Sequence, residues 1–156
     1  MKVGFTGTSL GMTEAQKLTF EGIIEASEAE HEFMVFHHGD CVGADEQADR
    51  IVSKRYKAII EIHPPDNTKK QAHCLERPGV RMSYAPLPYL ERNHAIVDAT
   101  DLLIATPDGR EERLRSGTWA TIRYARKQQK KVVIIYPDGE AEYEYVAFRS
   151  ADLYKR

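Results

Sequence analysis

The sequence predicts an α/β fold: a single Rossmann-like domain spanning residues 1–156. A parallel five-stranded sheet of order 3-2-1-4-5 should be covered on both faces by helices, as a three-layer αβα sandwich. Three observations carry this expectation. Short apolar runs alternate with segments of helical period, glycine-bearing turns follow the first two runs, and a long irregular stretch follows the third. Alternating strands and helices imply parallel pairing through right-handed crossovers. The long connection marks where the chain recrosses the sheet, setting strand four beside strand one and creating a topological switch point between them.

The first strand is residues 2–6, closed by Gly7-Thr8-Ser9-Leu10-Gly11. Thr13 followed by Gln16 is a capping box opening a helix to about Glu30, with Ala15, Leu18, Ile23 and Ala26 on its inner face. Residues 33–37 form strand two, ended by Gly39-Asp40-Cys41-Val42-Gly43, and a second helix covers residues 44–55. Strand three, residues 58–63, stops at Pro64-Pro65. Residues 66–86 are an excursion of the kind that more often serves function than not. Pro88 opens a third helix to Ala99, with Leu90, Ile96 and Val97 inward. Strand four is residues 101–106. Ser116 caps a fourth helix to about Gln129, whose basic end (Arg126, Lys127, Lys130, Lys131) complements the helix dipole and is a solvated face. Strand five is residues 132–136, and a short extra edge strand is expected near 143–146.

Composition narrows the function. The 156 residues carry 22 Lys+Arg against 24 Asp+Glu, a net charge of −2, so nucleic acid is not an expected partner: bulk polyanion binding needs a basic surplus. Apolar runs of four or five residues cannot span a bilayer. The start, Met1-Lys2-Val3-Gly4, leads straight into the first strand, and two cysteines make no disulfide framework; both fit a cytoplasmic protein.

Chemistry concentrates at the carboxyl ends of the strands. Gly7, Thr8 and Ser9 offer backbone amides and hydroxyls to an anion. Ser116, Gly117 and Thr118 open helix four, where free N–H groups and the dipole favour phosphate. Gly39, Asp40, Gly43 and Asp45 belong to the second turn. Arg92, early in helix three, is either a surface arginine paired with Glu91 or a bidentate phosphate ligand; Asn93 either orients the same ligand or caps a local turn. His37, His38 and Cys41, with His73 and Cys74, match no zinc spacing, so neither a metal nor any other cofactor is expected. Trp119 is a nucleobase platform, a core residue or an interface residue. Arg77, Arg81 and Tyr84 either close over a ligand or lie in a solvated loop.

These segments resemble a family. Thr6-Gly7-Thr8-Ser9-Leu10-Gly11 resembles the first glycine motif of the SLOG superfamily, which includes the lonely-guy phosphoribohydrolases and DNA-processing protein A. His38-Gly39-Asp40-Cys41-Val42-Gly43-Ala44-Asp45 is similar to the His-Gly-x-x-x-Gly-x-Asp turn of small SLOG proteins. The stretch from Glu91-Arg92-Asn93 to Asp101 resembles the Glu-Arg-Lys helix of lonely-guy enzymes, and Ser116-Gly117-Thr118-Trp119-Ala120-Thr121 falls where they carry Gly-Gly-x-Gly-Thr-x-x-Glu. The resemblance covers about residues 1–137. It implies a nucleotide or nucleotide-derived ligand at the switch point, ADP-ribose-like or a nucleoside monophosphate, and a homodimer using Tyr124 or Trp119. It also implies that Arg92 is the catalytic arginine if the protein is an enzyme. The family glutamate is replaced by Thr121, however, which favours binding by a sensor, carrier or sequestering protein over an N-glycosidic phosphoribohydrolase; a single-stranded DNA-binding module is the third possibility.

Overall fold

The computed structural model describes residues 1–55 and 58–145. In chain order they form β1 (Lys2–Gly7), α1 (Glu14–Glu30), β2 (Met34–His38), α2 (Ala44–Arg55), β3 (Ala58–Ile62), β4 (Arg81–Ser83), α3 (Tyr89–Ala99), β5 (Leu102–Thr106), α4 (Gly117–Lys127), β6 (Lys131–Ile135) and β7 (Ala141–Glu144). The sheet has seven strands, in the order β4-β3-β2-β1-β5-β6-β7. All pairings are parallel except β6 with β7.

The five expected strands keep their relative order, with the chain crossing from β3 back to β5 beside β1. Their number was underestimated. β4 lies inside the excursion and adds a parallel rung to β3, pairing Ile60 with Arg81. β7 is the extra edge strand, two residues earlier than expected; Val146 falls outside the described residues.

Side chains alternating along β5 and β6 face two separate cores, which is what a sheet covered on both faces requires. Ile104, Val133 and Ile135 join Phe5, Phe20, Phe36 and Val52 under α1 and α2. Leu103, Ala105, Val132 and Ile134 join Val97, Trp119 and Ile122 under α3 and α4.

The α1 capping box is present in both directions, with Thr13 Oγ1 accepting from Gln16 N at 3.0 Å and Gln16 Oε1 accepting from Thr13 N at 2.9 Å. The inner face of α1 differs from expectation. Gln16, Phe20 and Ile24 are its buried residues, and Leu18 is 72% exposed. Gln16 turns inward because its Nε2 donates to two carbonyls at the ends of neighbouring strands, Pro107 (2.8 Å) and Ile135 (2.9 Å), in buried bonds. Leu90 on α3 is likewise exposed, and the inward residue of that turn is Arg92. α4 stops at Lys127, with Gln128 as its C-cap.

Candidate functional site

The carboxyl ends of β1 and β5 open into a cleft of about 610 Å³. Of the twelve residues nominated from sequence, ten line it: Gly7, Thr8, Ser9, Gly39, Asp45, Arg92, Asn93, Ser116, Gly117 and Thr118. Four separate elements therefore converge where the topology places a ligand.

Asp40 and Gly43 stand behind the wall. Asp40 adopts a left-handed conformation (φ 57°), and its carboxylate accepts from Cys74 N (2.8 Å) and Gln71 Nε2 (3.0 Å), while its carbonyl accepts from Ala72 N (2.7 Å). It fastens the excursion to the end of β2. Gly43 (φ 89°) lets the start of α2 press against the backbone of Thr8 and Ser9, where a Cβ would overlap the Ser9 carbonyl. Ala44 N then donates to Thr8 O at 3.0 Å, locking the two glycine turns together.

Arg92 is only 5% exposed. Its Nη1 donates to the carbonyls of Gly39 and, at 3.3 Å, His63; its Nε donates to Asn93 Oδ1 at 2.8 Å. Gly39 is what admits it, since a Cβ there would lie 2.6 Å from Nη1. The Tyr89 ring sits beneath the guanidinium, 5.4 Å from ring centroid to Cζ. All three hydrogen-bond partners are neutral, and among the described residues no carboxylate lies within ion-pair distance of Arg92. Asp45 acts on it only from beyond ion-pair distance, so the buried cation is incompletely compensated, and an anion in the cleft would relieve that cost.

Asp45, in the first turn of α2, lines the same cleft. Burial raises its carboxyl above the usual carboxylate range, and electrostatic attraction to His38 and to the Arg92 guanidinium, with the Cys41 N–H, recovers part of that shift. Burial and the neighbouring Asp45 also raise the Cys41 thiol, so it remains protonated at neutral pH and is a poor nucleophile. The α4 N-terminus contributes the N–H groups of Gly117 and Thr118, which precede the first intrahelical acceptor, and Ser116 Oγ caps Trp119 N at 3.3 Å.

The structure adds residues that sequence reasoning missed. Asn67, Lys69 and Lys70 reach the cleft from the excursion, and Arg113 and Arg115 reach it from the loop before α4. Lys70 Nζ donates to Ser9 Oγ at 3.4 Å, bridging the excursion to the first turn. A signal existed in Asn67, whose side chain accepts from Lys69 N and caps the short 3₁₀ turn Thr68–Lys70.

Other candidates lie elsewhere. Arg77 pairs with Glu46 (2.7 Å), Arg81 with Asp49 (2.5 Å), and Tyr84 donates to Glu61 (2.6 Å); none lines the cleft. Trp119 is buried under the sheet, unavailable for stacking or for an interface. Tyr124 stacks on His94 at 3.7 Å and donates to Asp98. Thr121 is buried, and its hydroxyl donates to Gly117 O at 2.8 Å.

Two histidine clusters lie behind the cleft. His38, Asp49 and Cys74 bring potential ligand atoms within 4.8 Å of one another, but His38 and the Arg81 guanidinium both already bind Asp49 Oδ2. Burial opposes ionisation of Asp49, yet hydrogen bonds from His38 and Arg81 outweigh it and hold the carboxyl below its ordinary range, while burial and two carboxylates keep the Cys74 thiol protonated. That combination suits an ion-pair clamp better than a cation site. His38 Nδ1 accepts from Asp40 N, so Nε2 carries the proton given to Asp49. In the second cluster His37 Nδ1 and His63 Nε2 share a hydrogen bond of 2.9 Å, and His37 Nε2 lies 3.3 Å from Glu61.

No family model matches the chain, and no curated protein matches it. Among solved structures, the chain is similar to the X-ray structure of TM1055, a Northeast Structural Genomics Consortium target, with a TM-score of 0.57 and 18% identity. The match covers 84% of this chain and 71% of that one, and it supports a Rossmann-like α/β architecture. No helix among the described residues is long and apolar enough to cross a membrane.

Proposed function

We propose that the protein is a small SLOG-like binder of a nucleotide or nucleotide-derived ligand, ADP-ribose-like or a nucleoside monophosphate. It would hold the phosphate in the switch-point cleft and act as a sensor, carrier or sequestering protein. The observation that carries this reading is Arg92: a buried guanidinium on the cleft wall, fixed by neutral acceptors and lacking an ion-pair partner among the described residues. A phosphate supplies the missing charge, and the amides of the Gly7–Ser9 turn and of the α4 N-terminus offer it donors without adding net charge.

Binding without cleavage is favoured because the position of the family glutamate is Thr121, which is buried and donates to a helix carbonyl. It cannot serve as a base. Calorimetric titration with AMP and ADP-ribose, together with chromatography for released adenine, tests the reading. Micromolar binding without adenine release is expected, weakened at least tenfold by Arg92→Ala, since a charge-assisted pair contributes about 1.5–3 kcal/mol. Adenine release that Arg92→Ala abolishes would replace it with the phosphoribohydrolase reading.

A further inference from the structure

The cleft has two lining carboxylates, and they differ in kind. Asp108 on the rim is already ion-paired with Arg113. Asp45 is 6% exposed and has no ion-pair partner among the described residues. Its one hydrogen bond there comes from Cys41 N to Oδ2, at 3.2 Å, which leaves Oδ1 available.

Its place in the cleft is set by its neighbour. Ala44, the preceding residue, is bonded to Thr8, so Asp45 adjoins the turn that would hold a phosphate. The charge of Arg92 acts on it from α3. A buried carboxylate with a spare lone pair gains most from a neutral O–H donor, because a second cation beside Arg92 would crowd the same pole. On a nucleotide, the O–H donors within a few ångströms of the 5′-phosphate are those of the ribose.

We propose that Asp45 is the sugar-recognition residue of the cleft: it accepts a hydrogen bond from a ribose hydroxyl of the ligand whose phosphate Arg92 holds, so that the site selects ribonucleotides over sugars lacking those hydroxyls. This rests on the nucleotide reading above. Burial raises the carboxyl, and the groups facing it are His38 from β2, Asp40 and Cys41 from the following turn and Arg92 from α3; a hydroxyl donor stabilises the ionised form that this burial disfavours.

The test is calorimetric titration of the full-length protein with AMP and with 2′,3′-dideoxyadenosine 5′-monophosphate. Native protein is expected to bind AMP at least tenfold more tightly, as loss of a hydrogen bond to a charged group implies. Asp45→Ala should abolish the preference, bringing the ratio of AMP to dideoxy affinity to within twofold of one. Asp45→Asn, which keeps the volume and one acceptor, should retain part of the preference, and it carries the comparison if circular dichroism shows Asp45→Ala unfolded. Equal binding of the two nucleotides by native protein, or equal weakening of both by the substitution, overturns the role of Asp45 and leaves the phosphate site standing. Binding of neither nucleotide overturns the nucleotide reading and this proposal with it.

Discussion

Mild acid should destabilise the protein through His63, whose carbonyl helps hold Arg92. Burial first, then the charges of His37, His38 and Arg92, push His63 from 6.5 down to about 3. In the unfolded chain the same imidazole takes up a proton near pH 6.5. Between pH 6.5 and pH 3 the unfolded state therefore binds more protons, and stability falls as the pH falls. At pH 5, one and a half units below the unfolded value, the His63 contribution amounts to a loss of about 2 kcal/mol relative to pH 7.5. Urea unfolding followed by the fluorescence of the single tryptophan, Trp119, should show the midpoint dropping by about 1 M over that interval. Asp45 pulls the other way, because its raised carboxyl gains protons in the folded protein first. The clean measurement is thus the difference from His63→Gln, which keeps a donor for His37 but cannot titrate. That variant should lose about 2 kcal/mol less on acidification. If native protein and variant respond alike, His63 is not held neutral by the fold.

Three substitutions test the architecture around the cleft. Gly39→Ala places a methyl group 2.6 Å from Arg92 Nη1 and should lower AMP affinity at least tenfold by calorimetry; unchanged affinity would separate Arg92 from the ligand. Gly43→Ala combines a left-handed backbone with overlap of the Ser9 carbonyl, and a cost of about 3 kcal/mol should lower the melting temperature by roughly 10 °C in calorimetric scans. Gln16→Ala removes the side-chain half of the capping box and both bonds to Pro107 and Ile135, and chemical denaturation should record a loss of about 2–4 kcal/mol.

Features written in local sequence were legible: the capping box of Thr13 and Gln16, the bounds of α2 and the relative order of the five principal strands all reflect propensity and chain connectivity. Features set by tertiary partners were not. β4 has three residues and no alternation to detect; its backbone pairs with β3, and its Arg81 is held by Asp49. The α1 face was misassigned because Gln16, polar by composition, answers two carbonyls more than 90 residues away. In the site, glycine turns and an arginine on a helix can be recognised along the chain. Asn67, Lys69 and Lys70 come into place through tertiary contacts: Asp40, about 30 residues earlier, grips the excursion at Gln71 and Cys74, and Val42 N donates to Lys70 O at 2.8 Å.

The charges around the cleft are layered by depth, and depth separates arrival from residence. Lys69, Lys70 and Arg115 lie exposed at the rim, in a chain whose net charge is −2. Such exposed charges act through solvent over roughly 8–10 Å and mainly raise the rate at which an anion finds the cleft, an effect that added salt erases. Arg92 and Asp45 are shielded from the same salt and act only once the ligand has shed its water. A change of ionic strength should therefore move the association rate and leave the lifetime of the complex nearly constant, so that the chain's overall acidity repels ligands at a distance while the mouth of one cleft draws them in.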